Sequence, residues 1–274
     1  MLTLVTGGGI ERFAFCRPTF SGTYVPGSSK VQVRMMSSPS GKERRRVIVT
    51  GASRGLGRVM AGFLARSGWQ VGVISRDEEA LTDLVNESQE ISAEIADLTD
   101  ASATRTAIDA LAESMGGVDA LVNNAGKVHF EPFCEMEVGQ FEAVIRQNLL
   151  TAVHATKFAL PWLQHHESAT IVQISSISGI QPLPGGSAYA AAKHALVGWS
   201  RSIFSELRHQ GIRVCLIHPG SISPEVSQIP PEKASAQDPL DPTEISRVVL
   251  QQLEAPPGTL LSEVEIRPLM PPRR

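Results

Sequence analysis

The sequence predicts an α/β fold, a doubly wound parallel sheet covered by helices on both faces in a single domain. Two observations carry that prediction. Seven short apolar runs alternate with helix-length segments, and a glycine-rich turn follows the first run directly. The runs fall at residues 47–50, 71–74, 91–96, 118–122, 170–174, 214–217 and 260–266. Most are apolar at successive rather than alternate positions, the pattern of strands buried on both faces. The segments between them are long enough for crossover helices, which are right-handed in such sheets. The first helix is expected over residues 58–67, opened by the glycine-rich turn. No internal repeat and no second domain is legible.

Composition sets outer bounds. At 274 residues and 42% hydrophobic, the chain has ample core-forming residues, and no run approaches the roughly 18–20 apolar residues of a membrane span. Cys16, Cys134 and Cys215 lack CxxC spacing and cannot all pair, which argues against a disulfide framework or a cysteine-built zinc site. Cys134 and Cys215 are expected in or near the core. His165, His166, His209 and His218 form no ligand spacing with carboxylates, so no metal is expected.

Charge is unevenly placed. Residues 1–46 hold eight lysines and arginines against two glutamates, a charge of +6, so the remainder carries −9 to reach the formal −3. A body that acidic offers no footprint for nucleic acid. Residues 1–42 are rich in Ser, Thr, Gly and Arg, nearly free of acids and without periodicity, and read as a transit peptide addressed to a plastid or mitochondrial matrix. The alternative is a disordered tail on a cytoplasmic protein, with Met35 or Met36 as internal starts. Thr6-Gly7-Gly8-Gly9 lacks the further glycine a phosphate loop requires. The domain is expected over residues 43–274.

Thr50-Gly51-Ala52-Ser53-Arg54-Gly55-Leu56-Gly57 lies between the first strand and its helix. Glycines there permit a tight turn, close backbone approach to a pyrophosphate and close helix packing, while the helix N-terminus supplies free N–H groups. This makes Gly51, Ser53, Arg54, Gly55, Leu56 and Gly57 candidate cofactor residues. A site for NAD places an acid at the end of the second strand, where it accepts from the ribose 2′-OH. Here Ser75 and Arg76 occupy that end, and with Arg54 they suit a 2′-phosphate, so the expected cofactor is NADP(H). Asp77 follows at once and would reach the ribose if the strand ended later.

Downstream come Asn123-Asn124-Ala125-Gly126 after the fourth strand, Asn148 in a helix, Ser175-Ser176 after the fifth strand, and Tyr189-Ala-Ala-Ala-Lys193. With these motifs in register over residues 46–266, the chain resembles the short-chain dehydrogenase/reductase family. That resemblance implies a Rossmann-type sheet and a reductase of a small carbonyl substrate: an aldehyde, ketone or 3-oxo acid. It makes Tyr189 the proton donor or acceptor, Ser176 a hydrogen bond to the substrate oxygen, Lys193 a holder of the nicotinamide ribose, and Asn148 the keeper of a water beside Lys193. Tyr189 and Lys193 are four apart and share a helix face, and a nearby ammonium favours the phenolate. Ser175 rivals Ser176. The resemblance also implies that Asp97 and Leu98 bind adenine, that Asn124, Ala125 and Gly126 pass beside the cofactor with Asn123 bracing the sheet, and that Pro219, Gly220 and Ile222 flank the nicotinamide. Asp97 reads equally as the cap of the next helix.

Two departures from the family pattern stand out. Ser221-Ile222-Ser223-Pro224 replaces a threonine-bearing segment, with Ser223 the expected substitute, and the carboxyl end lacks the glycine-rich close of oxoacyl-carrier-protein reductases. An organellar 3-oxoacyl-carrier-protein reductase is therefore the second reading. It needs a basic docking rim, whereas Glu167 and Gln210 stand at the equivalent places, with Arg208 and His209 close by. A sensor that binds NADPH without turnover is the third. Pro224, Pro230, Pro231, Pro239 and Pro242 punctuate a segment read as an active-site lid. A homodimer or homotetramer follows by family analogy, with no membrane partner.

Overall fold

A computed structural model describes residues 45–164, 168–223 and 239–270. Residues 1–42, with Cys16, Met35 and Met36, lie outside the described residues, as do His165, His166, Glu167, Pro224, Pro230 and Pro231. Strands and helices alternate from the start: β1 (Arg46–Thr50), α1 (Gly55–Arg66), β2 (Gln70–Ser75), α2 (Glu78–Glu87), β3 (Ile91–Ile95), α3 (Ala101–Met115) and β4 (Ala120–Asn123). After β4 come α4 (Val138–Ile145), a π turn at Arg146–Leu150, and α5 (Thr151–Leu163). The chain continues through β5 (Thr170–Ile174), α6 (Ser187–Leu207), β6 (Arg213–Pro219), α7 (Pro242–Leu253) and β7 (Glu263–Ile266).

All seven strands pair in parallel in the order β3-β2-β1-β4-β5-β6-β7, the Rossmann-type sheet the apolar runs predict. Successive strand residues point to opposite faces and both faces are dry. Val47 and Val49 of β1 join Met60 and Leu64 of α1 and Ile245 and Val249 of α7, while Ile48 joins Ile108 and Leu111 of α3 and Ala155 and Ala159 of α5. Full burial of such side chains contributes about 1.5–3 kcal/mol each before the cost of ordering them.

Strand order reverses between β1 and β4, so the loops leaving their carboxyl ends diverge and open a crevice there. Among the described residues no helix is long and apolar enough to cross a membrane.

Three elements start two or more residues away from the sequence reading. Helix α1 starts at Gly55, within the glycine turn itself. Strand β4 starts at Ala120 because Asp119 is engaged by Arg46, whose backbone N–H and Nε donate to its carboxylate at 2.7 and 2.9 Å. Strand β7 occupies only the second half of its run, with Glu263 and Glu265 on one side as suits an edge strand.

Candidate active site

The carboxyl ends of six strands, with α6 and the π turn, deliver the candidate cofactor and catalytic residues, apart from Asn123 and Ser223, to one cleft of about 740 Å³. The floor is the β1–α1 turn. Gly51 has φ +70°, and a Cβ there would lie 2.7 Å from the Cα of Ala125. A Cβ on Gly57 would lie 2.3 Å from the carbonyl oxygen of Gly51, so only glycine lets α1 begin this close to the turn. Arg54 precedes the helix without a side-chain capping bond, and no acid occupies the first turn. The leading N–H groups of α1 therefore face the cleft without a side-chain cap, an arrangement that fits a pyrophosphate.

Thr50 and Asn124 hold this turn against β4. The Thr50 hydroxyl accepts from the backbone N–H groups of Asn124 and Ala125 at 3.0 and 3.1 Å, and the Asn124 amide donates to the carbonyls of Thr50 and Gly51 at 3.1 Å each. Asn123 instead donates to Thr156 on α5 at 2.8 Å. Asn124, expected at the cofactor, thus also braces the turn.

At the other end of the cleft floor, β2 closes at Ser75 and exposes Arg76. Asp77 caps α2, accepting from the backbone N–H of Ala80 at 3.1 Å, so its carboxylate is committed away from a ribose. Asp97 accepts from the Thr99 backbone and hydroxyl at 2.9 and 2.8 Å and lies 3.6 Å from the Arg76 guanidinium. The Thr99 hydrogen bonds foremost, with Arg76 adding to them, hold its carboxyl below the usual carboxylate range. The cap of α3 is Asp100, so the capping alternative for Asp97 is set aside. Pro219, Gly220 and Ile222 form the facing wall, where the Gly220 N–H donates to Ile266 at 2.7 Å. Ser221 lies within the cleft lining and Ser223 outside it.

Tyr189 and Lys193 sit one turn apart on α6. The Ser176 hydroxyl meets the Tyr189 phenol and also accepts from the Ser178 N–H at 3.1 Å. Ser175 turns its buried hydroxyl to the other side, toward Gly179, so Ser176 is the serine brought to the tyrosine. Lys193 is buried and donates to the Ile174 carbonyl at 2.9 Å, with its ammonium 5.8 Å from the centre of the Tyr189 ring. Burial lowers the lysine to about 8 from 10.5. Burial also raises the Tyr189 phenol, with the Ser176 bond acting against it. Desolvation thus outweighs the Ser176 bond, and the phenol is neutral near pH 7.

Asn148 lies in the π turn and is buried. Its amide donates to the carbonyls of Lys127 and Val144 and accepts from the Lys127 N–H, each at 3.0 Å. The side chain pins the segment after β4. The sequence reading missed Val128, Phe130 and Leu183, which also line the cleft. Cys134, expected near the core, is exposed.

The fold and the cleft define a Rossmann-type protein whose strand ends are furnished for chemistry on a bound dinucleotide. Residues 45–234 match the short chain dehydrogenase family, and the chain belongs to it: it is an oxidoreductase of that family. It is 30% identical to an uncharacterized oxidoreductase of Staphylococcus saprophyticus, over 81% of this chain and 96% of that one. Among solved structures, it is similar to a metagenomic short-chain oxidoreductase in complex with NADP, at 30% identity and TM-score 0.72, over 82% of this chain and 98% of the other. A Thermococcus sibiricus alcohol dehydrogenase complexed with 5-hydroxy-NADP aligns at 25% identity and TM-score 0.73, over 85% of this chain and 100% of that one.

Proposed function

We propose that the chain is an NADP(H)-dependent oxidoreductase that interconverts a small aldehyde, ketone or 3-oxo acid with its alcohol. The observation that carries this reading is the contact between the Ser176 hydroxyl and the Tyr189 phenol, with the Lys193 ammonium buried beside them, in the same cleft as Arg54 and Arg76. The preference for the phosphorylated cofactor rests on Arg54, Ser75 and Arg76 and on the commitment of Asp77 to its helix. It is supported by the NADP-type ligands of the two similar solved structures.

Bound NADPH supplies the hydride, whose electron pair reduces the carbonyl carbon. The residues of the chain manage the oxygen. Ser176 hydrogen-bonds it and Tyr189 gives it the phenolic proton, so that C=O becomes CH–OH and the phenol becomes phenolate. The Lys193 ammonium and the Ser176 hydroxyl stabilise that phenolate until a proton is restored from solvent. A neutral phenol suits this direction, because a donor must hold its proton until the oxygen takes it. A positioned acid of this kind contributes about 10²- to 10⁴-fold, and alignment of the two reactants supplies more.

The test is the rate of NADPH against NADH oxidation with a panel of small aldehydes, ketones, 3-oxo acids and a 3-oxoacyl carrier protein. Charge-assisted bonds of about 1.5–3 kcal/mol predict a preference for NADPH of about 10- to 100-fold, reduced in Arg76→Ala. A preference for NADH overturns the roles of Arg54 and Arg76, and a preference for the carrier thioester selects the 3-oxoacyl-carrier-protein reductase reading. The leader, as an organellar address, and assembly into a homodimer or homotetramer belong to the same proposal; imaging a tagged full-length chain and measuring its mass in solution test them.

A further inference from the structure

Apart from Lys127 and Lys193, the charged side chains of the cleft lie away from its apolar wall. Arg54, Arg76 and Asp97 lie at the ends of β1, β2 and β3, whereas the wall beside Tyr189 carries Val128, Phe130 and Leu183. Leu183 packs on the cluster that contains the Tyr189 ring, so apolar surface runs from the phenol outward. Val128 and Phe130 continue it at 51% and 66% exposure, a costly place for large apolar groups unless something covers them.

Their segment is pinned at both ends. Lys127 exchanges backbone bonds with the Asn148 amide at 3.0 Å each, and the Glu131 N–H donates to the Gly185 carbonyl at 2.7 Å. The Glu131 carboxylate also meets His129 at 2.8 Å. A wall held this way meets its ligand without first being ordered, which saves the entropy of fixing a loop on binding.

Resting on the carbonyl-reductase reading above, we propose that the substrate is an uncharged carbonyl compound bearing an aryl or branched-alkyl group, which packs on Phe130, Val128 and Leu183. Its carbonyl oxygen then lies at Tyr189 and Ser176. Phe130 is the specificity-determining residue, because it is the largest and most exposed member of the wall.

The experiment compares acetophenone, acetone and 4-acetylbenzoate as substrates with NADPH, in the wild-type protein, Phe130→Ala and Phe133→Ala. Phe133 belongs to the same loop, is 72% exposed and lies outside the cleft lining, so it serves as the control. A ring contact of this size is worth about tenfold in kcat/KM. The ratio for acetophenone over acetone is expected to fall about tenfold in Phe130→Ala and to hold in Phe133→Ala. An active enzyme whose ratio is unmoved by Phe130→Ala overturns the inference and leaves the reductase reading standing. So does one that prefers 4-acetylbenzoate, which would point to Lys127 holding a carboxylate. A change of mass in solution on Phe130→Ala without a change of ratio assigns the patch to a second copy of the chain and likewise overturns it. If no carbonyl compound is reduced, thermal stabilisation by 1-phenylethanol over 2-propanol separates the two claims. Stabilisation lost in Phe130→Ala supports the apolar site while the reductase reading fails, and its absence from the wild type removes both.

Discussion

Replacing Lys193 with methionine should make the protein's stability less dependent on pH while abolishing activity. Lys193 is 4% exposed, its ammonium donates to the Ile174 carbonyl, and among the described residues no carboxylate pairs with it. Burial lowers it from 10.5 to about 8, and at 1.36 kcal/mol per pH unit that corresponds to about 3 kcal/mol of folding free energy withheld while the group is charged. Below pH 8 both folded and unfolded chains carry the proton, and the full penalty applies. Between about pH 8 and 10.5 the unfolded chain still binds the proton while the folded one has released it, so stability rises with pH across that window. The variant has no such titration. Urea unfolding of both proteins from pH 7 to 10.5 should therefore show the wild type gaining about 3 kcal/mol on the variant as pH rises. Cys215, raised by burial, works in the opposite direction at high pH in both proteins and cancels in the difference, and making both proteins in a Tyr189→Phe background keeps the neighbouring phenol out of the comparison. A wild-type-minus-variant difference that stays flat from pH 7 to 10.5 would refute the claim that the ammonium is held against its solvation.

Four further substitutions probe the rest of the site. Gly57→Ala forces a methyl group against the Gly51 carbonyl, and NADPH affinity measured by calorimetry should fall at least about 100-fold if the turn must keep this shape. Asn148→Ala removes three bonds to the Lys127 and Val144 backbones and should lower stability by about 2–4 kcal/mol in urea unfolding; a loss under 1 kcal/mol would mean the π turn needs no such tie. Ser175→Ala, which deletes a buried hydroxyl without a partner, should be neutral or stabilising and keep turnover within about threefold, whereas Ser176→Ala should lose about 100-fold; equal losses would put both serines in the reaction.

Much of this was legible in the amino-acid sequence because its signals are local. The seven apolar runs, the glycine turn and the four-residue step from Tyr189 to Lys193 report strand burial, a tight turn and a shared helix face without reference to distant residues. What escaped was set by long-range packing. Ser176 was named through the family resemblance, but why it and not its rival Ser175 meets Tyr189 depends on how the chain leaves β5 across from Gly179. The start of β4 at Ala120 depends on Arg46, 73 positions earlier, capturing Asp119. Asp77 is drawn into capping α2 and Asp97 onto Thr99, competitions between nearby acceptors that spacing alone leaves open. The net effect on Tyr189 was the hardest to read, since burial and the Ser176 bond act in opposite directions and only packing decides between them. Phe130 was missed for a related reason: an aromatic in a loop carries no periodicity, and its place in the cleft follows from the bonds at Lys127 and Glu131.

The most direct measurement of the central claim is the steady-state rate of carbonyl reduction at saturating NADPH for wild type and Tyr189→Phe, with the NADPH dissociation constant of each determined by calorimetry. Loss of the phenolic proton at a site whose floor is unchanged predicts a rate lower by about 10²- to 10⁴-fold with cofactor affinity held within about threefold. Undiminished turnover by the phenylalanine variant would contradict the account, since the proton would then reach the carbonyl oxygen from some other group.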